Sequence, residues 1–105
     1  MRELTLWNNI LEGQLPEDID NLTYLERLSV SNNRMSGPIP ESIGNLKHST
    51  TLDLGPNSLE GHIPLSIGNL TELEFLRLGS NDLSGSIPDT LGNLINLTTV
   101  YLFKL

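Results

Sequence analysis

Residues 25–48 read LERLSVSNNRMSGPIPESIGNLKH, and residues 49–72 read STTLDLGPNSLEGHIPLSIGNLTE. Shifted by 24, Leu28, Val30, Asn33, Met35, Gly37, Ile39, Pro40, Ile43, Gly44, Asn45 and Leu46 fall on Leu52, Leu54, Asn57, Leu59, Gly61, Ile63, Pro64, Ile67, Gly68, Asn69 and Leu70. One framework position changes character, Leu25 to Ser49. The pattern recurs from Leu73 through Leu94, and backwards onto Met1, Leu4, Leu6, Asn9, Leu11, Gly13 and Pro16, where Asp20 is the clear lapse. Repeats 1–24, 25–48, 49–72 and 73–96 and a partial 97–105 fill the chain. A fixed period in this range predicts a solenoid, in which each repeat buries its apolar face only against its neighbours.

Within each repeat, L-x-x-L-x-L alternates apolar and variable residues, the period of a strand with one buried face. Consecutive strands a full repeat apart run in the same direction and stack as a parallel sheet. Asn9, Asn33, Asn57 and Asn81 end these strands. An amide both donates and accepts, so one per repeat predicts a ladder bonding the backbone of neighbouring turns. The following L-x-G-x-[IL]-P predicts a second short strand, and P-x-x-[IL]-G-N-L a 3₁₀ or helical turn on the outer side, closed by its glycine.

The strings SGPIPESIGNL, EGHIPLSIGNL and SGSIPDTLGNL resemble the plant-specific class of leucine-rich repeat, with its L-x-G-x-I-P followed by I-G-N-L. The resemblance implies an α/β solenoid: a right-handed superhelix with a concave parallel sheet and a convex side of short 3₁₀ and irregular segments. It also implies the ectodomain of a receptor-like kinase or receptor-like protein, binding a peptide or protein with or without a co-receptor. The related secreted inhibitors of pectin-degrading enzymes, ice-binding repeat proteins and a truncated gene copy with structural content only are the alternatives. Extracellular members close their solenoids with cysteine-containing caps, and this chain has no cysteine. Open ends are therefore expected, exposing Leu4, Leu6, Leu11, Val100 and Leu102, as in a fragment of a longer solenoid or a chain associating end to end.

Met1-Arg2-Glu3-Leu4-Thr5 does not open the apolar core of a leader, and no apolar run reaches the length of a membrane span. The resemblance implies an extracellular or membrane-associated setting, but the chain shows no address for it. The formal charge of −7 argues against a nucleic-acid partner, which requires a basic stripe. Acidic residues scatter over presumed turns and read as solvation. Without cysteine there is no thiol nucleophile, and His48 and His62 read as surface residues remote from any triad. No phosphate-binding glycine motif occurs, so no enzymatic activity, cofactor or metal site is expected.

Sequons stand at Asn21, Asn69 and Asn96. About two are expected by chance in so asparagine-rich a repeat, and Asn21 and Asn69 belong to the framework, which favours a structural reading for those two. The heterogeneous positions lie between the strand leucines. One column is Glu3, Arg27, Thr51, Phe75 and Thr99; the next is Thr5, Ser29, Asp53, Arg77 and Tyr101; a third is Trp7, Ser31, Gly55, Gly79 and Phe103. Arg27, Ser29, Asp53, Phe75, Arg77, Tyr101 and Phe103 are the binding candidates. Arg27, Asp53 and Arg77 form either a charged patch for a ligand or pairs with one another. Gly79 is expected to leave a shallow pocket beside the aromatics.

Overall fold

A computed structural model of the chain describes residues 1–6 and 8–102. Trp7 and Phe103, assigned above to the concave face, lie outside the described residues. Among the described residues nine short strands follow one another: β1 (Glu3–Thr5), β2 (Glu12–Gln14), β3 (Arg27–Ser29), β4 (Arg34–Pro38), β5 (Thr51–Asp53), β6 (Ser58–His62), β7 (Phe75–Arg77), β8 (Asp82–Ser84) and β9 (Thr99–Tyr101). The odd-numbered strands form one parallel sheet in the order β1-β3-β5-β7-β9, and the even-numbered strands a second, in the order β2-β4-β6-β8. In the first sheet the register equals the repeat: Leu4 lies beside Leu28, Leu28 beside Leu52, Leu52 beside Leu76 and Leu76 beside Val100. The second sheet is sheared. Glu12 pairs with Arg34, Ser36 with Ser58 and Glu60 with Asp82, two residues short of the repeat each time. An even shift keeps each side chain on its face, since strand faces alternate with period two.

Between the sheets runs the core. Leu28, Leu52, Leu54, Leu59, Leu76 and Leu78 are fully buried, with Ile43, Ile67, Leu46 and Leu70 closing it from the convex side. The same columns open in the outermost turns, where Leu6, Leu11 and Val100 are exposed.

Asparagines turn the chain from each first-sheet strand into the next segment. Asn57 donates through Nδ2 to Val30 O and Leu54 O, both at 2.9 Å, and accepts from the Met35 amide through Oδ1 at 2.9 Å. Asn81 repeats this on Leu54 O, Leu78 O and the Leu59 amide. Asn33 donates to Leu6 O and Val30 O and accepts from the amides of Asn9 and Leu11. Each side chain thus holds a carbonyl three residues back in its own coil and a carbonyl and an amide of the preceding coil, groups that would otherwise be left without partners.

On the convex side Pro16, Pro40, Pro64 and Pro88, all near φ −65°, lead into the 3₁₀ turns Glu17–Asn21, Glu41–Asn45, Leu65–Asn69 and Asp89–Asn93. In the last three turns the framework glycine, Gly44, Gly68 or Gly92, sits inside the turn instead of closing it; Leu22, Leu46, Leu70 and Leu94 are the caps. Its function is close approach. A Cβ on Gly44 would stand 2.5 Å from Ser66, and one on Gly68 2.5 Å from Thr90. Ser66 and Thr90 in turn donate their hydroxyls to Glu41 O and Leu65 O of the preceding coil. Asp20 puts a side chain in this column. At that junction the Ser42 hydroxyl is buried without a partner, and a cleft of about 370 Å³ opens between Glu17, Pro40, Glu41 and Ser42. Asp20 accepts a hydrogen bond from Asn45 Nδ2 at 2.9 Å across the gap.

Ser49 is fully buried and its hydroxyl has no partner. Leu25 and Leu73, at the equivalent positions, are also fully buried. Ser49→Leu is expected to raise the melting temperature by replacing an orphaned hydroxyl with the apolar volume the column otherwise carries; an unchanged or lower value in a thermal melt would show that the site is not underpacked. Gly68→Ala is expected to destabilise by about 1–3 kcal/mol through forced separation of neighbouring coils. Gly92→Ala is the control, because a Cβ there meets nothing within 4 Å; equal denaturant midpoints for the two variants would refute close approach as the glycine's role.

Candidate functional site

The exact register of the first sheet lays residues 24 apart side by side on its solvent face, where side chains that do not fill the core are presented. Arg27, Phe75, Arg77 and Tyr101 keep exposed or half-exposed side chains there. Ser29 and Asp53 do not. Both are buried, Ser29 with its hydroxyl 3.3 Å from that of Ser31.

Among Arg27, Asp53 and Arg77 the structure chooses pairing over a common patch. Arg77 donates Nε to Asp53 Oδ1 at 2.8 Å and Nη2 to Oδ2 at 2.7 Å, a bidentate fork. Hydrogen bonding to Asp53 raises the Arg77 pKa further, against the opposing effect of burial. Arg27 turns the other way, to Glu3 at 3.6 Å. Cross-strand register offers each arginine a carboxylate in its own column, nearer than the diagonal one, which is why the trio divides.

This economy extends over the surface. Arg2 meets Glu26 at 3.6 Å, Arg34 meets Glu12 at 4.0 Å, and His48 and His62 lie 3.8 Å from Glu72 and Glu41. Each pair spans adjacent coils. Exposed pairs of this kind contribute little to stability individually, yet together with the Arg27 and Arg77 pairs they engage all four arginines. His48 also stacks on Tyr24, ring centroids 5.5 Å apart. Among the described residues no group of three or more His, Asp or Glu side chains is placed to hold a metal ion.

Phe75 and Tyr101 meet at 5.9 Å with their planes tilted by 57°. Beside them lies a cleft of about 320 Å³ lined by Pro56, Arg77, Gly79, Ser80 and Tyr101. Gly55 lets the neighbouring coil approach closely there, because a Cβ on it would stand 2.3 Å from Gly79 O and 3.4 Å from Arg77 Cγ. Ser80 holds the left-handed conformation at φ 60°, as Asn8 and Asn32 do at 57° in the same column. Sequence reasoning placed a shallow pocket at Gly79 beside the aromatics and set Pro56 and Ser80 in a flanking column of the same face without assigning them to that pocket.

The sequon asparagines Asn21, Asn69 and Asn96 are all exposed and lie outside the first sheet. Asn96 donates to Thr71 O at 3.1 Å, whereas no hydrogen bond holds the side chains of Asn21 and Asn69 among the described residues, so a structural purpose for these two is not carried by side-chain bonding. No helix among the described residues is long and apolar enough to cross a membrane.

Comparison with known proteins matches the family model described as a leucine-rich repeat region to residues 1–104. No curated protein sequence matches. Among solved structures, the chain is similar to the Arabidopsis receptor kinase HAESA in complex with the peptide hormone IDA and the co-receptor SERK1, at 39% identity and TM-score 0.95, covering 97% of this chain and 17% of that one. It is similar to the plant peptide hormone receptor RGFR1 in complex with RGF2, at 44% identity and TM-score 0.89, covering 91% of this chain and 15% of that one. It is also similar to the ectodomain of the receptor kinase SOBIR1 from Arabidopsis thaliana, at 36% identity and TM-score 0.93, covering 99% and 56%. The chain thus spans about a sixth of the two peptide-bound receptors. Repeat, sheet topology and these likenesses agree: the chain belongs to the leucine-rich-repeat family and is similar to segments of plant receptor ectodomains.

Proposed function

We propose that the chain is a non-catalytic protein-interaction segment of a receptor-like ectodomain and binds an extended peptide across the first-sheet face, with Arg27, Phe75, Arg77 and Tyr101 as contacts. The observation that carries the proposal is the division of labour along the repeat. Leucines, asparagines and glycines recur because the coil requires them, while the outward columns of the first sheet differ from coil to coil yet stand in register. Such a surface displays a different side chain every 4.8 Å or so across the strands, a spacing suited to reading an extended chain. The named complexes of HAESA and RGFR1 with peptide hormones support the ligand class, and the co-receptor named with HAESA supports a second protein as a further partner. Glycans on Asn21, Asn69 or Asn96 would leave this face clear, since none of these residues lies in its strands.

Selection of a displayed random-peptide library against the chain tests the proposal. Selected peptides are expected to lose at least about tenfold in affinity on Phe75→Ala or Tyr101→Ala, as removal of an interface aromatic does, and to be indifferent to Leu65→Ala on the convex side. Peptides sensitive to Leu65 and insensitive to both aromatics would place binding elsewhere and overturn the reading.

A further inference from the structure

The pair between Arg77 and Asp53 changes what the neighbouring cleft can recognise. An arginine on a binding face ordinarily invites a carboxylate, with its N–H edge as the recognition element. Here that edge is spent: Nε and Nη2 both donate to Asp53, whose carboxylate is nearly buried. The pair is formally neutral, so it exerts little pull on an anion. The planar face of the guanidinium remains, on a side chain 37% exposed. Nη1 has no partner among the described residues.

Two further features favour that face. The fork fixes the guanidinium before any ligand arrives, and the Arg77 stem passes over Gly55, where a Cβ would stand 3.4 Å from Cγ; little conformational freedom is left to lose on binding. The cleft beside it is walled by the Pro56 and Tyr101 rings and left open by Gly79. At about 320 Å³ it is roughly twice the cavity of about 150 Å³ that holds benzene in an engineered protein core.

From this geometry we propose that the cleft takes an aromatic side chain of a bound peptide, its ring laid on the Arg77 guanidinium between Pro56 and Tyr101, and that it does not take a carboxylate. The ring stacks on the delocalised guanidinium plane, which Asp53, bonded at the Nε–Nη2 edge, does not occupy. Arg77 Nη1 is then free to donate to the ligand's backbone carbonyl. This inference rests on the reading of the first-sheet face as peptide-binding.

The test is a titration of ¹⁵N-labelled chain followed by chemical-shift perturbation, with three probes: N-acetyl-phenylalaninamide, its cyclohexylalanine analogue, and acetate. The phenyl and cyclohexyl groups have nearly the same size, but only the phenyl has a π face. Shifts are expected at the Gly79, Ser80 and Tyr101 amides and at Arg77 Nε–H, with the phenyl probe binding about 2- to 5-fold more tightly than the cyclohexyl probe. Acetate is expected to leave these signals in place. Arg77→Lys keeps a cation opposite Asp53 but removes the plane, and should erase the phenyl preference. Equal binding of the two rings would reduce the cleft to a generic apolar pocket and overturn the proposal, as would an acetate response at Arg77 or shifts confined to other coils. If library peptides nevertheless map to Phe75 and Tyr101, the aromatic subsite alone is wrong; if they map to the convex side, the peptide-binding face is wrong with it.

Discussion

The asparagine at the end of each first-sheet strand is the constraint on which the other elements rest. At this point the chain leaves one sheet and turns toward the other, so its backbone groups lose their strand partners inside a nearly dry core. A single amide meets the need of two coils at once, as Asn57 does by holding Leu54 O in its own coil and Val30 O and the Met35 amide in the preceding one. Leaving such groups unpaired costs about 1–3 kcal/mol each. Where one coil turns, the next must therefore turn in register, and the leucines then stack in columns without further specification.

Once the coil is set in this way, the outward residues are relieved of structural duty and can vary. Their electrostatics still follow the register. Lateral neighbours at one repeat spacing pair first, as Arg77 does with Asp53 and Arg27 with Glu3. A face assembled by these rules is less charged than its residue list suggests. In the proposed reading, what it offers a ligand is the aromatic pair Phe75–Tyr101 and the face of a fixed guanidinium beside a shallow cleft.

Much of this was legible in the residues. Period, strand positions and the asparagine ladder follow from identities that recur every 24 residues, because a recurring residue marks a recurring backbone need; the pocket at Gly79 was read instead from the heterogeneous columns. Less legible were features set by how coils slide against one another. The two-residue shear of the second sheet arises from the path of the chain between sheets and leaves no mark on the repeat. The convex glycine looked like a turn closer, but its neighbour in the next coil, Ser66 or Thr90, determines its purpose. Arg27 had two carboxylates in reach, and only side-chain geometry decides between Glu3 and Asp53. Ser29 belonged to a solvent-facing column but is covered there, since its hydroxyl packs beside that of Ser31.

Amide hydrogen exchange on the intact chain and on Asn57→Ala tests the central claim most directly. The Met35 amide donates to the Asn57 side chain, whereas the Leu59 amide donates to Asn81. If the ladder holds the coils in register, removing the Asn57 amide accelerates exchange at Met35 by at least about tenfold more than at Leu59, because loss of roughly 1.4 kcal/mol of local protection corresponds to that factor. Equal acceleration at both amides, or none at Met35, would contradict the account and transfer the setting of the register to the leucine core alone.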